Sequence, residues 1–151
     1  DGWVGNLGDD ATHNFTSYAE CFISENLIRK HIQEKNIQMS QEAESEINTW
    51  KQKEDQSKST GNINIDIRKI PNNTSYLSME GLANLVDKSK DPNKEPGLSR
   101  DSREYKPIRD ALMHTALLTD EAKNKLVTIK SNIKGRVKNL LSEKDEKTSA
   151  E

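Results

Sequence analysis

One cysteine, four prolines, three histidines and only 5% aromatic residues leave this chain of 151 residues short of several kinds of chemistry. A lone thiol, Cys21, forms no internal disulfide, and it sits among Ala19, Phe22 and Ile23, so a buried core thiol is expected rather than a nucleophile. The scarcity of aromatics argues against a reader of nucleic acid that stacks bases on aromatic platforms. No apolar run approaches the length that spans a membrane, and no signal peptide is visible. Together these point to a reducing, cytoplasmic setting with no membrane partner. The sequons at Asn14, Asn72 and Asn73 point weakly the other way, at the level chance gives in an Asn-rich chain. No Gly-rich phosphate loop and no Gly-x-Ser-x-Gly nucleophile elbow is present. His13, His31 and His114 stand far apart and at no known metal spacing, so neither a metal site nor a cofactor is expected.

Hydrophobic residues make up 31% and charged residues 32%, a lean core inside a polar surface, of a size that suits one domain. The chain opens on Asp1 rather than Met, as a piece of a longer protein would, so other domains of a parent chain are expected partners. The net charge of −2 is unevenly spread. Residues 99–141 carry ten Lys or Arg against five Asp or Glu, whereas residues 1–98 carry eleven against sixteen. A basic half suits an anionic partner such as RNA; the plain alternative is a solvated helix face.

Periodicity predicts an all-α bundle of about five helices with room for one short extended segment. Residues 1–10 are Gly-rich and read as a flexible loop from which Trp3 docks on the core. A helix follows over about 12–37, with Phe15, Tyr18, Ala19, Phe22, Ile23, Leu27, Ile28 and Ile32 at helical spacing. Ser40 caps a second helix over about 41–58, with a thin stripe of Ala43, Ile47 and Trp50, and Gly61 ends it. Trp50 reads as the anchor of that helix, with contact to a partner as the lesser alternative. Residues 62–67 alternate polar and Ile with period two, as an extended segment or short strand does. A helix over about 75–88 buries Leu77, Met79, Leu82, Leu85 and Val86; residues 89–98, with two prolines and a glycine, are a loop. Asp101 and Glu104 make a capping box for the next helix, which runs to about Leu118 with Pro107 as a kink or a fresh start. Thr119 caps the last helix, 120–141, and residues 142–151 read as a disordered tail. The domain proper is 11–141.

The stretch from Ile108 to Leu118 is mostly apolar and is broken by Arg109, Asp110 and His114. At about 100° per residue, Asp110 lies near 100° and His114 near 140° from Arg109, and Met113 and Leu117 share that arc. A solvated face rarely carries Met and Leu, and a buried face rarely carries Arg and Asp, so a partly buried cleft or subunit interface is expected. Asp110 and His114, four apart, can pair and orient the imidazole. Arg109 is not stacked on His114, so its side chain must swing round or a second subunit must supply one of the two groups.

Arg109-Asp110-Ala-Leu-Met-His114 resembles the R-x4-H motif of the HEPN (higher eukaryotes and prokaryotes nucleotide-binding) superfamily, in which a polar residue such as Asp follows the Arg. Residues 108–126, IRDALMHTALLTDEAKNKL, look most like the branch named after a yeast transcript-quality-control endoribonuclease. The resemblance is specific over 99–141 and loose over 11–90. It implies a helical bundle that dimerises through the motif helix and cleaves RNA without metal, by attack of the ribose 2′-hydroxyl, leaving a cyclic phosphate. In that reading His114 moves a proton, Arg109 holds the phosphate and Asp110 keeps His114 aligned. Lys123, Lys125, Lys130, Lys134, Arg136 and Lys138 would attract the RNA backbone; otherwise they are a solvated face. The implied protein is a ribonuclease, as a regulated, toxin-like effector domain of a larger chain. The alternative is a non-catalytic fold of the same kind, used for dimerisation or for binding RNA or protein.

Overall fold

The computed structural model describes residues 2–87 and 97–149, with side chains to residue 142. Most of the loop expected over 89–98, and the last two residues, fall outside that range. Among the described residues the fold is an all-α bundle of five helices: α1 (Gly2–Glu34), α2 (Gln41–Ser59), α3 (Met79–Val86), α4 (Leu98–Met113) and α5 (Asp120–Ser149), with a 3-10 turn at Asn73–Tyr76 before α3.

Side-chain caps set several helix starts. Ser40, Ser78 and Thr119 each place a hydroxyl oxygen where it accepts a backbone N–H of the first turn, from Ala43, Gly81 and Ala122. Three helix ends share one device, a residue in the left-handed region whose N–H bonds back three residues while the next N–H bonds back five. It is built on Asn36 after α1, Gly61 after α2 and Thr115 after α4.

The helix boundaries differ from expectation at both chain ends. Residues 2–10 are helical, not a loop, and α5 continues through 142–149. Extending an existing helix adds one hydrogen bond per residue, which tolerates Gly2, Gly5 and Gly8 where nucleation would not. Trp3 does not dock on the core; it is 83% exposed. Residues 62–67 form no strand, and Ile65, Ile67 and Ile70 are exposed, because no neighbouring edge offers them a ladder. Arg68 holds this segment instead, donating to Glu54 and the Ser75 carbonyl and lying 4.0 Å from the centre of the Tyr76 ring. Trp50 does not anchor α2; Ala43 and Ile47 are its buried residues.

The core is built from Cys21, Ile28 and Ile32 of α1, Leu82 and Leu85 of α3, Leu98, Tyr105 and Leu112 of α4, and Leu126, Ile129 and Ile133 of α5. Cys21 is buried, as its neighbours imply. The ion pair of Lys130 with Glu20 and the bond from Lys123 to the His13 carbonyl advance together along both chains, so α5 runs parallel to α1. Lys125–Glu104 and Asn132–Asp101 advance oppositely, so α4 is antiparallel to α5. The C-terminal end of α4 therefore lies beside the N-terminal half of α1.

Candidate functional site

Arg109 leaves α4 toward α1. Its Nε donates to Oε2 of Glu25 at 2.9 Å, and the Tyr105 hydroxyl donates to the same oxygen. Arg29 donates to the other oxygen of Glu25 at 3.4 Å and caps the carbonyls of Thr74 and Leu77. Glu25 is only 5% exposed, so this carboxylate is buried with its charge compensated by two guanidinium groups. Burial and the neighbouring Glu25 push the Tyr105 hydroxyl far above its ordinary value, and burial pushes the Cys21 thiol up. Burial works against the Arg109 charge, but Glu25 outweighs it and holds Arg109 firmly protonated. The two Nη nitrogens of Arg109 have no hydrogen-bond partner among the described residues, and the side chain is 37% exposed. One edge of the guanidinium is anchored and the other is open.

Asp110 does not pair with His114. It accepts from Lys106 Nζ at 2.6 Å, one turn back. The Cα–Cβ bonds of a helix tilt toward its N-terminus, which favours this reach, and Lys106 brings a full charge. Lys106 holds the Asp110 carboxyl below its ordinary range, with Arg109 and His114 as lesser contributors. His114 is not within the helix either: α4 ends at Met113, and His114 is the exposed C-cap.

The turn after His114 is tied down from α1. The Asn14 side chain donates to the Ala116 carbonyl at 2.8 Å and accepts the Leu118 N–H at 3.2 Å. His13 Nε2 lies 2.9 Å from the Leu118 carbonyl, and Lys123 donates to the His13 carbonyl at 2.6 Å. A glycan on Asn14 would break this clamp. Thr115 holds φ at 62°, a strained conformation for a β-branched residue, and the clamp keeps it there.

The six cationic residues expected to attract RNA do not form one face. At 100° per residue, Lys123, Lys130, Lys134 and Lys138 flank one edge of the buried stripe of α5, and Lys125 and Arg136 flank the other. Lys123, Lys125 and Lys130 are engaged with His13, Glu104 and Glu20. Lys134, Arg136 and Lys138 are exposed and have no ion pair among the described residues.

Beside His114 lies an open cleft of about 610 Å³, its wall mostly apolar, with Leu7, Phe15 and Tyr18 of α1 opposite Met113 and Leu117, and with Asp10 and Asn14 also on it. Phe15, Tyr18, Phe22 and Ile23, read in the sequence as apolar positions at helical spacing, are all exposed, because Ser17, Cys21, Ser24, Glu25 and Ile28 occupy the buried arc of α1. Sequence reasoning missed Glu25, Tyr105, His13 and Asn14. The available signal for Glu25 was an acidic residue four positions from both Cys21 and Arg29 on the buried side of a helix.

Among the described residues, no group of three His, Cys, Asp or Glu could hold a metal ion, and no helix is long and apolar enough to cross a membrane. No protein-family model matches the chain, and no curated protein or solved structure shows significant similarity to it.

Proposed function

We propose that the chain is a metal-independent endoribonuclease that acts as a pair of copies, with Arg109 and His114 at the reacting phosphate. The observation that carries this reading is the anchored but half-open guanidinium of Arg109, followed five residues later by an exposed imidazole on a clamped turn. A guanidinium fixed through Nε presents two Nη donors in a defined direction, the geometry that grips a phosphate at two points.

In the proposed step one His114 imidazole takes the proton of a ribose 2′-hydroxyl. The 2′-oxygen attacks the adjacent phosphorus, and the bond from phosphorus to the 5′-oxygen breaks. A second His114, from the other copy, protonates the departing 5′-oxygen. The products are a 2′,3′-cyclic phosphate and a 5′-hydroxyl, with no change of oxidation state. Arg109 neutralises the charge that builds on the phosphoryl oxygens. Asp110 is held by Lys106 and is not the hydrogen-bond partner of His114. The exposed Lys134, Arg136 and Lys138 are the cations free to draw in the backbone, at a salt-sensitive energy.

The test is cleavage of RNA in EDTA. Activity lost in both Arg109→Ala and His114→Ala, with cyclic-phosphate ends, supports the reading. A requirement for added metal, or activity indifferent to both changes, overturns it. A second reading is a non-catalytic module for dimerisation or binding. It is favoured by the pairing of Asp110 with Lys106, which leaves His114 without the orienting carboxylate, and it predicts no cleavage.

A further inference from the structure

α1 is apolar on two sides. One side, with Cys21, Ile28 and Ile32, faces the core. On the other, with Phe15 as the zero of a 100° wheel, residues 4, 8, 11, 15, 18, 19, 22 and 26 fall within one arc of about 100°. These are Val4, Gly8, Ala11, Phe15, Tyr18, Ala19, Phe22 and Asn26, none of them charged; the arc ends at Arg29, which turns to Glu25 and to the carbonyls of Thr74 and Leu77. Phe15 is 63%, Tyr18 54% and Phe22 57% exposed, and Tyr18 and Phe22 touch each other rather than the core, their centroids 6.4 Å apart. A helix apolar on two sides is normally covered on both.

We propose that a second copy of this chain covers this face, α1 packing antiparallel on α1 about a two-fold axis at Phe15. Two observations select a copy as the occupant. The first is area. With full side-chain surfaces of about 150–250 Å² for aromatics and somewhat less for Leu and Met, the exposed parts of Leu7, Phe15, Tyr18, Phe22, Met113 and Leu117 amount to about 600 Å². The small residues between them bring this near the ~800 Å² per partner of a stable interface, and above the largest apolar patch of most monomers. The second is self-complementarity. In that register Phe22 of one copy meets Gly8 of the other, Ala11 meets Ala19, and Phe15 meets Phe15. A Cβ at Gly8 would meet nothing within 4 Å, so the backbone there is open to the approach of Phe22. The cleft bounded by Leu7, Ala11 and Leu117 lies alongside it, and each copy fills the other's cleft with Phe22. An isologous interface is built this way, large residues against small ones twice over.

The consequence concerns where the copies meet. The interface runs along α1 and takes only Met113 and Leu117 from the α4 end, leaving Arg109 and His114 at its rim. This places the two exposed imidazoles beside the seam.

Sedimentation of the whole chain at micromolar concentration reads the proposal without reference to RNA. The expected species is a dimer, and Phe15→Asp or Phe22→Asp weakens it about 100-fold or more with helix content unchanged, since both side chains are exposed in one copy. Register is read by oxidative trapping. Phe15→Cys links to itself, and Val4→Cys links to Asn26→Cys in a mixture, whereas each of those two alone does not. Cys21 is buried and does not compete. A monomer at all concentrations, as when a neighbouring domain of a longer chain is the true occupant, overturns the proposal. A dimer that survives both Asp substitutions, or a Val4→Cys self-link, also overturns it. Dimerisation through α1 with no RNA cleavage would overturn the ribonuclease reading alone; cleavage by a dimer that survives both Asp substitutions would overturn this one alone.

Discussion

The Arg109 guanidinium donates to the Glu25 carboxylate across 84 positions of sequence, at 2.9 Å. This bond joins α4 to α1 and aims Arg109, so the carboxylate is a positioning group for the guanidinium as well as part of the bundle's interior. Replacing it leaves Arg109 and Arg29 partly buried without a counter-charge. Glu25→Gln is expected to lower stability by about 3 kcal/mol, read from the urea midpoint. Where RNA cleavage is measured, the same change is expected to abolish it under conditions in which the variant is still folded. Full cleavage by folded Glu25→Gln would show that Arg109 needs no anchor.

Thr115 occupies a backbone position that favours glycine, at φ 62°. Left-handed geometry costs an L-residue about 1–2 kcal/mol, part of which glycine returns as unfolded-state entropy. Thr115→Gly is therefore expected to raise stability by about 1 kcal/mol in a thermal melt. A lower melting temperature would mean that the hydroxyl, which donates to the His114 carbonyl, matters more than the strain.

Asn14 satisfies one carbonyl and one N–H of the turn that follows His114. Asn14→Ala removes both bonds and leaves the N–H of buried Leu118 unmatched, a loss of about 1–3 kcal/mol. Hydrogen exchange is expected to quicken at 116–118 and to stay unchanged in α3. Equal protection in variant and parent would mean that His13 alone holds the turn.

His31 is buried, and its Nδ1 has no partner among the described residues. Burial, with Lys35 adding a smaller push, lowers its pKa. The native imidazole stays neutral while the unfolded chain takes up a proton below about pH 6.5. Stability is therefore fully present above that pH and is lost as the pH falls, at no more than about 1.4 kcal/mol per unit. His31→Leu is expected to flatten the dependence between pH 5 and 7. An unchanged slope would assign it to another group.

The sequence by itself determined the class of fold, the starts of α2 and α5 and the spacing of the candidate site. Ser40 and Thr119 act within three residues of their own position, and the apolar period of α5 is the one that buries Leu126, Ile129 and Ile133. Such signals are local, so they survive without knowledge of neighbours. Asp101 and Glu104 do not start α4, which begins three residues earlier after Gly97 with no side-chain cap. Which apolar face of α1 turns inward was not local: Phe15, Tyr18 and Phe22 keep helical spacing as well as Cys21, Ile28 and Ile32 do, and only the packing of α4 and α5 chose between them. The same holds for the partners of the site. Arg109 meets Glu25, and the turn beyond His114 meets His13 and Asn14, because an antiparallel α4 brings residues about 80 to 105 positions apart within hydrogen-bonding distance. No periodicity carries that information; the closing of the bundle does.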